Sequence, residues 1–447
     1  MSVTRIVKAT TLAALATLVM GGAASAWELT IPSLEYRTGP YAPNGVPFAN
    51  GYTDYFKMLN ERDGGICLEK GKCAKLKIVP CETQYNTQKG VECYEKTKGE
   101  GESGAVLYQP LSTGITYQLI PKASVDKIPV FSMGYGRTSA ANGRVFKWVF
   151  NFPATYWSQA SALVKYIGDR LGGMDKLKGQ KITLIYHNSA YGKEPIRTLQ
   201  ALAKKHGFTY DDIAVDHPGQ EQKAAWLQIR RNKPDWILMW GWGVMNQVAI
   251  KEATNIRYPM DHFIGVWWSG SENDVKPAGE AAKGYLAGTF HAVGDNFPVH
   301  KDIVKYVYDK GIAADPNYKP RIGEVLYNRG IVAAAYASEA IRTAMQLHKT
   351  VEVKGEQVRD GFENLNVTEA RLAELGLKDF TLPVHITCAN HEGPGEVAVQ
   401  QWDGKAWHIV SKGYYKPDRE VVDKLIKEDS DGYAKEHNIT PRDCKSS

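Results

Sequence analysis

The sequence predicts an α/β fold built as two parallel, helix-covered sheets in series. Three observations carry the prediction. Short apolar runs alternate with segments whose apolar residues fall at helical spacing. Clusters of Gly, Pro and Asn punctuate the alternation. The pattern runs once to about Asn151 and then begins again, so two α/β units follow one another.

In the first unit, Leu29 to Leu34 is strand-like, and Thr38-Gly39-Pro40-Tyr41 and Asn44-Gly45 signal turns. Phe48, Tyr52, Tyr55, Phe56 and Leu59 recur at helical spacing, and Asp63-Gly64-Gly65 ends that helix. Leu76 to Val79, Ala105 to Leu107 and Pro129 to Ser132 are further strands; Ser112-Thr113 caps the helix between the last two. In the second unit, Tyr156 to Leu171 is helical, Ile182 to Tyr186 is a strand, and Ile196 to His206 is a helix. A strand near Ile213 to Val215 and a helix through Trp226 to Arg231 follow. Helices are expected at Ile303–Lys310 and Gly323–Leu347, strands at Val397–Trp402 and Trp407–Val410, and a polar, partly helical tail from Asp418. The apolar stretch Ile331 to Leu347 is interrupted by Glu339 and Arg342, which marks a packed helix rather than a membrane span.

Ligands of open parallel sheets bind beyond the carboxyl ends of the strands. The strand Ile237-Leu238-Met239 ends in Trp240-Gly241-Trp242-Gly243, and Phe263-Ile264-Gly265-Val266 ends in Trp267-Trp268. Indoles there offer flat apolar walls with one N–H donor each, and glycines allow close backbone approach. Tryptophans also fill cores, but two aromatic pairs at two successive strand ends favour a binding surface.

Of 447 residues, 43% are hydrophobic and 23% charged, an ordinary globular balance. The net charge of +6 is small and no Lys/Arg block stands out, so nucleic acid is not an expected partner. Arg5 and Lys8 precede an apolar run from Leu12 to Met20, and Ala24-Ser25-Ala26 forms a small-residue cleavage site. Residues 1–26 therefore read as a signal peptide, and no Cys stands at the cleavage point to carry a lipid. An exported chain can keep disulfides. Its six cysteines are expected to pair locally as Cys67–Cys73, Cys81–Cys93 and Cys388–Cys444. Zinc is not expected, because there is no C-x-x-C and no nearby His cluster.

Catalysis finds little support. Gly99-Glu100-Gly101-Glu102-Ser103-Gly104 spells G-x-G-x-x-G, but it precedes a strand and its glutamates would repel a pyrophosphate. No Walker A, G-x-S-x-G or H-E-x-x-H sequence occurs, and His391-Glu392 reads as part of a turn. No cofactor is expected.

Several short motifs, taken in order, resemble the periplasmic solute-binding proteins of ABC importers, the leucine/isoleucine/valine-binding class. They are Thr38-Gly39-Pro40-Tyr41 through Gly45, Asn50-Gly51, Asn60 to Ile66 in the form N-x-x-x-G-G-I, Ile128 to Ser132, Ala190-Tyr191-Gly192, and Ala281 to Tyr285. The resemblance spans about Trp27 to Gly413. It implies the two-lobed type I fold, with residues 27–150 and 284–377 in lobe 1, residues 151–283 and 378–415 in lobe 2, and 416–447 as a tail. It also implies a periplasmic protein that closes on a solute and docks on permease subunits in the inner membrane; a monomer is expected. Ser112 and Thr113 match the loop that holds a ligand carboxylate, as free N–H groups at a helix start allow. Gly134 and Tyr135 match the next binding loop, Tyr191 the cleft tyrosine, and Trp242 lies near another aromatic position of the cleft.

One departure bears on the ligand. Trp267 stands where amino-acid binders of this class carry a Glu for the α-ammonium group, although Glu272 and Asp274 follow closely. Arg137 and Arg144, near the Tyr135 loop, could add positive charge for an acid. A small carboxylate with an aromatic or other hydrophobic body is thus expected ahead of leucine. A branched-chain amino acid, another amino acid or amide, and a sensor role with a separate signalling partner are the alternatives. The export reading has a direct test: N-terminal sequencing or intact mass of the exported protein should find a soluble chain beginning at Trp27. A retained Met1 or an attached lipid would contradict it.

Overall fold

A computed structural model describes residues 27–444. The expected signal peptide, residues 1–26, lies outside the described residues, as do residues 445–447. The strands in chain order are β1 (Glu28–Glu35), β2 (Ile66–Glu69), β3 (Lys72–Glu82), β4 (Val130–Phe131), β5 (Val149–Phe150), β6 (Lys181–His187), β7 (Thr209–Val215), β8 (Trp236–Trp240), β9 (Phe263–Gly265), β10 (Leu286–Thr289), β11 (Asn366–Val367), β12 (Val384–His385), β13 (Ala398–Trp402) and β14 (Trp407–Ile409). The helices are α1 (Ala42–Asp63), α2 (Thr87–Thr97), α3 (Thr113–Asp126), α4 (Tyr156–Leu171), α5 (Ala190–Lys193), α6 (Ile196–His206), α7 (Lys223–Asn232), α8 (Val244–Asn255), α9 (Glu272–Val275), α10 (Pro298–Ile303), α11 (Val325–His348), α12 (Gly355–Glu363), α13 (Glu369–Glu374) and α14 (Arg419–Glu436).

The first lobe holds β2-β3-β1, with β1 parallel to β3. Ala105 to Leu107, expected as a strand, forms none: this segment joins only through single bridges, Thr30 to Ala105 and Ser33 to Gln109, and Tyr108 then bridges Val130 of the parallel pair β4–β5. The second lobe is one sheet in the order β14-β13-β10-β9-β8-β6-β7. Its β6 to β10 run parallel; β6, β8, β9 and β10 are buried, which is why they read as continuous apolar runs, whereas the edge strand β7 is partly exposed. Antiparallel β13 and β14 close one edge.

Long helices α1 and α11 form the back of the first lobe. Their backbones nearly touch: a Cβ at Gly51 would lie 2.1 Å from the Tyr327 oxygen, and one at Gly330 would lie 2.2 Å from the Phe48 oxygen. Glycine is thus required at both contacts. Helix α1 ends where Gly64 adopts φ +80° and its N–H returns to Asn60, as Asp63-Gly64-Gly65 predicts.

Two expected lobe boundaries move. Strand β10 pairs with β9 and β13, so the chain returns to the first lobe after Thr289, not at residue 284. An apolar run of four residues carries no mark of the sheet it joins. Residues 378–391 belong to the first lobe: Ala292 N donates to the Phe380 oxygen at 2.8 Å, Ile386 N to the Leu365 oxygen at 2.9 Å, and Tyr336 Oη to the Leu382 oxygen at 2.6 Å. The chain crosses to β13 only after His391. At that crossing His391-Glu392 is no surface turn. His391 is buried and stacks on Phe150, and Glu392 Oε1 accepts from Thr155 N at 3.1 Å and Thr155 Oγ1 at 2.7 Å. It thereby ties the third crossing to the first.

The tail is helix α14, laid across both lobes. Arg137 of the first lobe meets Asp429 at 2.6 Å, and Arg197 of the second meets the same carboxylate at 3.5 Å. Three disulfides form as expected: Cys67–Cys73, Cys81–Cys93 and Cys388–Cys444. The third anchors the tail to the first lobe rather than the second, where Arg442 also bonds the Gly143 oxygen and Glu363.

Further bonds link the lobes directly. Tyr41 Oη of the first lobe lies 2.9 Å from His187 Nε2 and 2.8 Å from His217 Nδ1 of the second. Tyr117 Oη of the first lobe donates to Glu194 Oε1 of the second at 2.6 Å. Asn44 Nδ2 reaches Asp274 Oδ1 at 3.1 Å.

Replacing both Cys388 and Cys444 by Ala should lower folding stability by about 2–4 kcal/mol in denaturant melts; free thiols at these positions in non-reducing peptide maps would refute the pairing. A second expectation concerns pH. Burial and the adjacent His217 ring push His187 down to about 3, whereas an unfolded imidazole titrates near ~6.5. Below that value the unfolded chain binds the extra proton, so this contribution to stability is present above about pH 6.5 and is lost as pH falls toward His187's folded value. His187→Gln should narrow the stability difference between pH 7 and pH 5 by about 1–2 kcal/mol; an unchanged difference would show that His187 does not carry it.

Candidate functional site

Strand ends from both sheets converge between the lobes, and their side chains are aromatic. In the first lobe, β1 delivers Tyr36, β3 leads to Tyr85, β4 leads to Gly134 and Tyr135, and α3 begins at Ser112 and Thr113. In the second, β6 leads to Tyr191, β8 to Trp242, and β9 to Trp267 and Trp268; Tyr156 comes from the start of α4. The seven residues expected from the sequence, Ser112, Thr113, Gly134, Tyr135, Tyr191, Trp242 and Trp267, all lie buried here.

The centre is the Gly134 carbonyl. Trp267 Nε1 donates to it at 2.9 Å and Trp268 Nε1 at 2.5 Å, the latter also reaching Tyr156 Oη at 3.0 Å. Gly134 has φ +76°, and a Cβ there would lie 2.8 Å from Trp268 Cζ2. Only glycine combines this turn with the indole contact. Tyr135 stacks on Trp268 with centroids 4.5 Å apart, and Tyr156 stacks on Trp267 at 5.3 Å. Trp242 meets Trp268 edge-on at 5.3 Å and approaches Tyr36 and Tyr85 at 6.0 and 6.1 Å. Its own indole N–H has no partner.

The polar atoms of the lining are mostly neutral. Ser112 caps α3 by accepting from Ile115 N at 3.4 Å, as expected, and faces the Tyr85 hydroxyl. Thr113 Oγ1 accepts from Gly136 N at 3.0 Å and faces Tyr156. Tyr36 and Tyr135 hydroxyls are 3.1 Å apart, and Tyr191 Oη donates to the Gly241 oxygen at 2.9 Å. Burial raises the pKa of Tyr36, Tyr135, Tyr156 and Tyr191, so each remains a neutral phenol and keeps a proton to donate.

The charged residues differ from expectation. Arg137 turns to Asp429 and lies over the Tyr433 ring at 4.8 Å, while Arg144 faces Asp443 in the tail. Neither charge reaches the interlobe lining. Asp274 accepts from Asn44, Asn246 and twice from Ser271, and Glu272 accepts from Val325 N at 3.0 Å. Both carboxylates are thus taken up by structural contacts. The cation near the lining is Arg329 of α11, buried behind Trp268 with its Cζ 4.8 Å from the ring.

Sequence reasoning passed over Tyr36, Tyr85, Tyr156 and Arg329. The strand-end rule that led to the tryptophans also reaches Tyr36, which directly follows β1. Arg329 left a fainter signal: one cation at the head of a long apolar helical run.

The chain matches the family model described as "Periplasmic binding protein" over residues 28–406. A solved structure described as an ABC transporter permease from the Pseudomonas fluorescens group is 42% identical, with TM-score 0.85 over 94% of this chain and 99% of that one. A branched-chain amino acid ABC transporter from Thermus thermophilus with bound valine is 20% identical, with TM-score 0.70 over 90% and 99%. A solute-binding protein of an ABC transporter from R. palustris in complex with benzoate is 17% identical, with TM-score 0.64 over 88% and 97%. No curated protein matches the sequence. No helix among the described residues is long and apolar enough to cross a membrane. With its two α/β lobes and the match spanning nearly all of both, the chain belongs to the periplasmic binding proteins, the substrate-binding components of ABC transporters.

Proposed function

We propose that this protein is exported to the periplasm, captures one small carboxylate with an aromatic or other hydrophobic body between its lobes, and delivers it to inner-membrane permease subunits of an importer. The observation that carries the ligand class is the lining itself. Trp242 and Trp267, with the adjoining Trp268, provide apolar walls from one lobe; Ser112, Thr113, Gly134 and Tyr135 provide hydroxyl and backbone groups from the other, and Tyr191 adds a further wall beside Tyr156. A ligand that touches both lobes favours their closed arrangement, because only that arrangement offers all its contacts. An amino acid would need a carboxylate for its ammonium group, and Asp274 and Glu272 already hold structural donors. The benzoate bound by the R. palustris relative and the valine bound by the Thermus relative both carry a carboxylate, and benzoate lacks the ammonium group.

Isothermal titration with aromatic acids, branched-chain acids and leucine tests this reading. Aromatic or branched acids should bind and leucine should bind more weakly. Trp242→Ala should fold and lose affinity, with about 0.5–1.5 kcal/mol of the loss due to ring contact beyond the buried area. Trp267→Ala should also lose the bond to Gly134 and so weaken the join between the lobes. Unchanged affinity in a well-folded Trp267→Ala protein, or tight leucine binding without any acid binding, would overturn the aromatic-wall reading.

A further inference from the structure

Arg329 is completely buried, yet no carboxylate bonds it. Its Nε donates to His291 Nε2 at 3.1 Å, and Nη1 donates to the Trp267 carbonyl across the lobe boundary. His291 Nδ1 lies 2.8 Å from the Ala292 oxygen and must donate to it, which leaves Nε2 as the acceptor of a neutral ring. Burial and the adjacent guanidinium keep that ring from protonating. Nη2 has no partner at all. Arg62, Arg137, Arg371 and Arg442 are all more exposed, and each meets an Asp or Glu.

A desolvated cation bonded only by neutral acceptors and the faces of Trp268 and Phe290 is left short of compensation for its burial. The chain could have placed an acid there; its nearest, Asp274 and Glu272, act on Arg329 only through space. Tyr135 and Tyr156, whose rings stack on Trp268 and Trp267, are the other titratable groups facing it. Arg329 therefore packs directly against the interlobe site, through the Trp267 carbonyl and the Trp268 ring, with one N–H group left unpaired.

We propose that Arg329 is the anion-recognising residue of that site, its free Nη2 pairing with the acidic group of the captured solute while the indoles cover the body. The inference rests on the reading that the solute is a carboxylate held between the lobes. Ser112, Thr113 and the phenols then supply neutral hydrogen bonds, and Arg329 supplies the charge. Lysine would not substitute, because it lacks the planar fork that reaches His291, Trp267 and the anion together.

The test uses the full exported chain and matched acid and amide probes: benzoate with benzamide, phenylacetate with phenylacetamide, 4-methylpentanoate with its amide. Wild-type protein should prefer acids by about tenfold or more. In Arg329→Gln the acid preference should collapse toward parity, with amide affinity little changed and the unliganded melting point not lowered. A purely structural role would instead weaken acid and amide alike, or leave the ratio at its wild-type value, and either result overturns the assignment. A readout on unaltered protein stands beside the variant in case the variant does not fold. The acid and amide affinities of wild-type protein are compared as salt rises: acid preference should shrink little, as for an anion paired with a buried cation, and a preference abolished by moderate salt would place the recognition on exposed charge and overturn the assignment. If wild-type protein binds no acid in the panel, the carboxylate reading itself falls, and this inference with it; if acids bind but their preference survives in Arg329→Gln, only the inference falls.

Discussion

A single carbonyl oxygen, that of Gly134, receives two indole N–H groups from the opposite lobe. Much of the molecule is arranged so that this can happen. The oxygen is exposed to both donors because Gly134 turns with positive φ, and Trp268 can approach because there is no Cβ. The donors arrive together because β9 stops at Gly265 and the next residues tighten into a single turn, Trp267–Ser269, that aims adjacent indoles the same way. Both sheets must therefore end at the same level, and the α1–α11 contact through Gly51 and Gly330 sets the depth of the first lobe behind them.

The chemistry of the lining follows from its burial. Phenols and indoles tolerate a dry environment because each brings one donor and a large apolar body. Carboxylates do not, and those nearby accept hydrogen bonds from dedicated partners: Asp274 from two asparagines and a serine, Glu194 from Tyr117. Arg329 is the exception, a buried charge supported by a neutral imidazole, a carbonyl and two ring faces. Arg329 thus differs from Asp274, whose two oxygens both accept hydrogen bonds, in leaving its Nη2 without a hydrogen-bond partner.

The lobes are joined by more than their crossings. Glu392 ties the third crossing to the first, and α14 spans both lobes with Asp429 shared between Arg137 and Arg197. The Cys388–Cys444 bridge then holds the end of this strap on the first lobe. The Asp429 carboxylate, with an arginine from each lobe beside it, is thus a further link between the lobes on the outer surface.

Local pattern in the sequence determined most element types, the cap at Ser112, the stop at Gly64, the two short-range disulfides and the aromatic ends of β8 and β9, because each depends on residues close to one another in the chain. The family's motif order added the two-lobed fold and most of the residues that converge between the lobes. Only the tertiary structure decided which sheet β10 joins, which lobe holds residues 378–391, and which arginine stands near the lining. Arg137 follows Tyr135 closely in the chain, but its side chain turns to Asp429 in α14; Arg329 is remote in sequence, but α11 carries it behind Trp268. Backbone periodicity is a local property and survives in one dimension, whereas the partner of a strand edge or a buried charge is chosen by whichever distant segment folding brings into contact.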